Sequence, residues 1–388
     1  MLRLRLNHIV WAAVFIACGA WLGYRLAAPV LPSGPGSGLA MARVVEVIED
    51  GTTDLGAGPQ PYQVFRVELL SGDYAGSRFT VDYGLRQARP GSPAVKAGDR
   101  VMVTAAPSPD GEVQVYFADF VRTGALGWLA GVFAVLIVLV SRGKGLRALA
   151  GMALSLVLIL GFILPQILAG ADPVLVSIVG SFALLTATFY LIHGWTLKSH
   201  TAVVATLGAL LITGGLASVS VLGARLSGFG SEEALFLVQL AGRDLNVRGL
   251  LLGGILVGAL GVLDDLTINQ VSAVFELRRA NPELGLASLY HRAMVIGQDH
   301  IAATVNTLLL AYVGASLPLL LLFSLFQEPA LAVVNREIIA EEIVRTLVGS
   351  IGLITAVPLA TLLASAVAAH RHRLAGWLGP TSAEMEIP

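Results

Sequence analysis

The sequence predicts an α-helical polytopic membrane protein of about eight transmembrane helices, with a small extracytoplasmic all-β domain inserted after the first helix. Three observations predict it. Mean hydropathy is +0.77, and 55% of residues are hydrophobic against 13% charged, whereas a soluble domain is about a quarter charged. Apolar runs long enough to cross a hydrocarbon core of about 30 Å recur along most of the chain. One interval, residues 41–122, is instead polar and alternates with a period of two.

The expected spans are 8–27, 124–141, 147–167, 173–193, 201–222, 247–269, 300–324 and 345–367. The first, in "RLRLNHIVWAAVFIACGAWLG", has the basic start and apolar centre of a secretory signal, and Cys18 invites a lipoprotein reading. Phe15 stands three residues before that cysteine and the apolar run continues to Gly23, so residues 1–28 read as an uncleaved anchor. A single cysteine excludes an intramolecular disulfide and any CxxC metal site. A Pro/Gly linker over 29–40 disfavours regular structure.

Residues 41–122 hold the runs "ARVVEVIE", "YQVFRVELL", "RFTVDYGL", "DRVMVTAA" and "EVQVYFADF", separated by Gly, Pro and Asp turns. This patterning predicts five antiparallel strands, which suit a barrel of OB type or a compact sandwich. The eight Arg and Lys of the segment are outnumbered by acids and form no aromatic-rich basic stripe, so nucleic acid is not an expected partner. Residues 123–370 then form a seven-helix membrane domain, followed by a tail over 371–388.

Cytoplasmic loops carry the excess of Lys and Arg. With the N-terminus inside, eleven basic residues fall on the cytoplasmic side and six on the other, outside the β domain. The expected location is a bacterial cell membrane with both termini cytoplasmic and residues 29–123 extracytoplasmic.

The stretch "GVLDDLTINQ" places Asp264 and Asp265 after fifteen uncharged residues, Gly249–Leu263. Fifteen helical residues rise only about 22 Å, so the span must extend one way or the other. Extended outward, it takes in Arg248 and leaves the aspartates at the inner edge, where Asp265 caps an interfacial helix. Extended inward, it takes in the aspartates themselves. The register favours the second reading, because Asp265, Asn269, Ser272 and Glu276 recur at i, i+4, i+7 and i+11 and line one face. An aspartate inside a membrane is a functional candidate by default.

A second group opens the seventh span: Asp299 and His300 at its entrance and Asn306 two turns in. In the fourth span Thr186, Tyr190 and His193 share a face near the inner end. Carboxylates, imidazoles and an amide suit a divalent metal or a proton relay. The same side chains also serve as interhelical hydrogen-bonding groups, the plainer reading for His193 or Asn306 alone. Whether a metal is held is open, and no cofactor is expected. Gly254 and Gly258, at GxxxG spacing, permit close helix contact within the protomer or in a homodimer.

The segments "GALGVLDDLTINQVSAVFEL" and "IGQDHIAATVNTLLLAYVGASLPLLLLF" resemble the signature of the bacterial YibE/F-like membrane proteins, over roughly residues 120–367. Where members often have Gly-Arg-Asp this chain has Gly297, Gln298 and Asp299, so no role for a basic residue is carried over. The resemblance implies an architecture and no substrate.

No P-loop, HExxH, GxSxG or dinucleotide fingerprint is present, so an enzyme is not expected. Two function classes stand. One is a transporter or permease of an ion or small solute, its path lined by Asp264, Asp265, Asn269, Asp299, His300 and Asn306, with Glu276, His193, Tyr190 and Thr186 as secondary candidates. The other is a membrane scaffold whose β domain binds an envelope protein while the polar cluster orders the helices.

Overall fold

The computed structural model describes residues 38–54, 56, 58–85, 93–107, 112–241, 245–325 and 328–370. The expected first span, most of the linker and the tail lie outside them. The described residues up to Arg142 form one compact unit, and those from Gly143 onward form another.

In the first unit the five alternating runs are strands: β1 (Gly38–Asp54), β2 (Pro59–Leu69), β3 (Arg78–Tyr83), β4 (Arg100–Pro107) and β5 (Val113–Phe120). They make one antiparallel sheet in the order β3-β2-β1-β4-β5. The sheet turns on β1, which is long enough to pair twice, over Gly38–Arg43 with β4 and over Ala42–Asp54 with β2. Register shifts at Val44/Glu46 and Val47/Glu49 bend it, as bulges do, and the sheet curls into a half-barrel. Alternate residues point into the concave side, among them Ala42, Val44, Phe65, Val67, Val101 and Val103. Rings bridge the edge strands, with Tyr83 4.5 Å from Phe117. The connection entering β4 is held by a side chain. Buried Gln63 accepts the Val95 N–H at 2.7 Å and donates to the Val95 carbonyl at 3.3 Å, satisfying both backbone groups at once.

Helix α1 (Thr123–Leu158) contains the expected span 124–141 and the start of 147–167, but as one helical run broken at Arg142, where φ is 49° and ψ is −128°. A π-helical turn, Ile159–Ile163, leads into α2 (Leu164–Leu168). Pro165 explains the turn. Proline lacks the N–H for a helical bond and its ring crowds the carbonyl four residues back, so the ladder opens just before it. Helix α3 (Pro173–His193) is capped by Asp172, which accepts the Leu175 N–H at 2.9 Å. Then come α4 (Leu197–Gly223), α5 (Glu232–Ala241), α6 (Val247–Ala280), α7 (Leu286–Ala315), α8 (Leu317–Leu325), α9 (Ala330–Val334) and α10 (Glu337–Ala369).

Among the described residues five helices are long and apolar enough to cross a membrane, or six if α7 and α8, bent by 60°, are one broken span. The bend has a local cause, since Pro318 stands at the second residue of α8, where a missing N–H is tolerated. Pro358 lies inside α10 without ending it. Three expected boundaries are too short: α6 runs to Ala280 rather than 269, α7 begins at Leu286 rather than 300, and α10 begins at Glu337 rather than 345. The first turns of α7 mix Tyr290, His291 and Arg292 with apolar residues, which hides a helix from a search for apolar runs.

Helices α6 and α10 form the centre of the second unit. α6 packs on α3, α4, α7 and α10, and α10 packs on α4, α6 and α7. Glycine sets two of these distances. A Cβ on Gly253 would run into Ser177 Oγ of α3, and one on Gly352 into Thr213 Oγ1 of α4. The expected contact glycines differ: Gly254 has nothing within 4 Å of its Cβ position, and Gly258 only the Tyr312 hydroxyl at 3.9 Å. At the core of the junction Gln270, fully buried, donates to the Ala293 carbonyl of α7 at 2.8 Å and to Thr361 Oγ1 of α10 at 2.8 Å.

These contacts make a prediction about packing. Gly352→Ala should destabilise the detergent-solubilised protein by about 1–3 kcal/mol through overpacking. Gly254→Ala should be neutral or stabilising, since alanine is the better helix former. Thermal melts of both variants check this, and equal losses would refute it.

Candidate functional site

The acidic pair lies within α6, not at its start. The helix is capped at Asn246, whose side chain accepts the Gly249 N–H at 2.9 Å, and it continues unbroken to Ala280. Asp265 is therefore not the cap of an interfacial helix, and that reading is overturned. Asp264 stands 17 residues past Val247, about 26 Å of helical rise from the start. The helix takes in both extensions, Arg248 at its start and the acidic pair well inside it. It survives two charged residues because the adjacent positions Leu263, Leu266, Thr267 and Ile268 are all buried against neighbouring helices.

A cavity of about 180 Å³ opens between α3 and α6. From α3 it is lined by Thr188, Ile192 and His193, and from α6 by Asp264 and Asp265. Gly261, one turn before Asp265, also lines it, and its lack of a side chain leaves room beside the carboxylates. Asp264 is half-buried and Asp265 exposed, so the cavity is open at one side. Basic residues gather near His193. Arg147 donates from Nη1 to the Ile192 carbonyl at 3.1 Å, and the charges of Lys198, Arg147 and Lys144 all act on the His193 ring. An imidazole and two carboxylates from different helices thus share one open space, rimmed by cations.

The other candidates fall elsewhere. Asn269 donates to Asp265 Oδ1 at 3.2 Å and is exposed, and Glu276, further along that face, stands exposed 3.8 Å from Arg279. Tyr190 turns away to the corner between α3 and α4, its hydroxyl 2.6 Å from His200 Nδ1 and its ring stacked on Trp195 at 4.5 Å. Thr186 Oγ1 is buried without a hydrogen-bond partner. On α7, Asp299 and Asn306 are exposed and His300 is half-buried, its Nδ1 without a partner, and none of the three lines the cavity. Among the described residues no three His, Cys, Asp or Glu side chains are placed to share a metal ion.

A second carboxylate arrangement escaped the sequence. In the first turns of α10, Glu337 Oε1 accepts from the Ser227 N–H at 2.5 Å, the Ser227 hydroxyl at 2.7 Å and the Gly228 N–H at 3.0 Å. One turn on, Glu341, only 7% exposed, accepts the Gly230 N–H at 3.2 Å. Together they seat the loop between α4 and α5. Gly228 has a φ of 90°, and Glu341 carboxylate atoms stand 2.8–2.9 Å from a Cβ built on Gly230, so the loop needs glycine at both places. The available signal was the i, i+4 spacing of Glu337 and Glu341 at the head of an apolar run.

The helices long and apolar enough to cross a membrane, with a polar cavity between two of them, point to the class of helical membrane proteins, here with a separate β unit. More narrowly, the chain belongs to the YibE/F-like protein family, whose model matches residues 129–370. No curated protein and no solved structure matches it.

The Glu337 contacts predict a protease phenotype. Hydrogen bonds to a charged acceptor are worth about 1.5–3 kcal/mol each, so Glu337→Ala should speed tryptic cleavage at Arg225, beside the loop, by roughly tenfold or more. Gel-resolved digestion of the detergent-solubilised protein measures the rate, and an unchanged rate would count against the seating role.

Proposed function

We propose that the protein is a transporter or permease of an ion or small solute, and that its substrate passes the cavity between α3 and α6. The observation that carries the proposal is the meeting of His193 with Asp264 and Asp265 in one open cavity, on helices apolar enough to span a membrane. Charged side chains at such a depth are costly and are retained where they face a path or a partner. Asp264 and Asp265 are proposed as the central pair and His193 as their partner. Asn269 has a supporting place through its bond to Asp265. Asp299 and Asn306, exposed on α7, and half-buried His300 take no part in the cavity reading.

The proposed setting is the bacterial cytoplasmic membrane, with the β unit outside and the corner between α3 and α4 inside, as the eleven-to-six bias in basic residues supports. In a Cys18→Ser background, Glu112→Cys should react with an impermeant thiol reagent in intact cells and Lys144→Cys should not. The reverse labelling would invert the orientation.

A second reading, a scaffold, is favoured by one observation. Leu39, Met41 and Ile48 stand exposed along β1, 62%, 40% and 49% accessible, on a sheet otherwise read as a partly open barrel of OB type. That apolar row suits an envelope protein as partner. Flux separates the readings. Asp→Asn keeps shape while removing charge, so vesicles with Asp264→Asn, Asp265→Asn or both should lose at least about tenfold of wild-type flux while inserting normally. Undiminished flux in the double variant would remove the site, and absence of wild-type flux for protons, divalent cations and small solutes alike would favour the scaffold.

A further inference from the structure

We propose that the species handled in the cavity between α3 and α6 is the proton, exchanged between the His193 imidazole and the Asp264 carboxylate, and not a divalent cation. The inference rests on the transport reading and names its substrate or coupling ion.

Three features of the site carry it. The first is the donor set. A structural or transported divalent cation needs several ligands converging on one point, six to eight oxygens for calcium and about four nitrogen, sulfur or oxygen atoms for zinc. The cavity offers two carboxylates and one imidazole, and the three are not close enough together to share an ion. Adjacent residues on a helix diverge around its axis, so Asp264 and Asp265 do not act as a bidentate pair.

The second is the charge at the rim. Arg147 is anchored to the carbonyl of Ile192, itself a lining residue, and Lys144 and Lys198 act on His193 together with it. Arg147, held there, and the two lysines near His193 raise the electrostatic barrier to a hydrated divalent ion approaching from that side. A proton meets the same field with half the charge, so the rim disfavours the divalent ion more strongly.

The third is what the cavity does supply. Its volume of about 180 Å³ has room for several waters between the two helices. An imidazole and a carboxyl joined through water are a sufficient relay: a carboxyl O–H bond breaks, an imidazole N–H bond forms, and one proton is transferred, and returned by the reverse step, with no other reactant. The charged and titratable groups around Asp264 are few. Helix α6 itself adds Asp265 and, more distantly, Glu276, Arg278 and Arg279 toward its end and Arg248 at its start. Helix α3 supplies His193, with Tyr190 turned to His200. Helix α4 has only Lys198 and His200, α7 brings Tyr290, His291, Arg292, Asp299, His300 and Tyr312, the last with its hydroxyl toward Gly258 of α6, and α10 carries no titratable side chain between Arg345 and His370. Asp264 and His193 are the titratable groups of different helices that line the same cavity.

The test uses the full chain in liposomes and a hydrophobic carbodiimide, which modifies a carboxyl only when it is protonated. Modification of the Asp264 peptide is read by mass spectrometry from about pH 4 to 9. The expected result is labelling that falls with rising pH through one midpoint, is absent at that position in Asp264→Asn and persists in Asp264→Glu. His193→Gln should move the midpoint by about half a unit or more, because the carboxyl loses the group across the cavity with which it exchanges its proton. Millimolar magnesium, calcium or zinc should give no protection. Absence of labelling throughout, protection by any of these cations, or an unmoved midpoint in His193→Gln would overturn the proposal. Flux of a solute with cation-protected Asp264 would keep transport and remove the proton. Intact labelling with no flux of any kind would keep the proton site and remove transport.

Discussion

The second unit depends on helix α6 staying helical through two carboxylates. An interruption at the acidic pair would leave several backbone groups unpaired, and in the membrane setting proposed for α6 no water would be there to satisfy them. Packing prevents it. Leu263 and Leu266 on either side of the pair are 1% and 4% exposed, and Gln270 a turn later is locked to α7 and α10. The charges ride on a helix whose other faces are committed to neighbours, which directs them toward the one side left open, the cavity with α3.

The same packing explains which candidates met. Helical periodicity states which residues share a face, and this was legible: Asp265 and Asn269 are hydrogen-bonded one turn apart. It does not state which face a neighbouring helix covers. Thr186, Tyr190 and His193 share a stripe in the sequence, yet Tyr190 is drawn to His200 by the tight turn at Gly194 and Trp195, while His193 reaches the cavity. Asp299 and Asn306 read as inward-facing from the small residues around them, and they stand exposed in the described unit.

The β unit was the more legible half. Its strands alternate cleanly, because one face of a curled sheet is buried and the other is not, and all five runs became strands. Hidden from the sequence were the features made by distant partners: the double pairing of β1, the Gln63 clamp on Val95, and the seating of the loop after α4 on Glu337 and Glu341, more than a hundred residues away in the chain. A glutamate at a helix start reads locally as a favourable charge near the dipole. Only the fold brings the loop amides to it.

The length of α6 has a mechanical consequence. Thirty-four residues span about 51 Å, well beyond a hydrocarbon core of about 30 Å, so α6 is longer than any membrane needs. The surplus can project at the end near Arg278 and Arg279, where the chain reverses into α7 through a tip closed by a bond from Arg278 to the Leu284 carbonyl. From Asp264 to Arg279 there is no kink, only about 22 Å of continuous rod. That rod is not free to swing: Val271 and Val274 are fully buried and Gln270 is tied to α7 and α10, so a push at the tip reaches the acidic pair only by carrying those two helices with it.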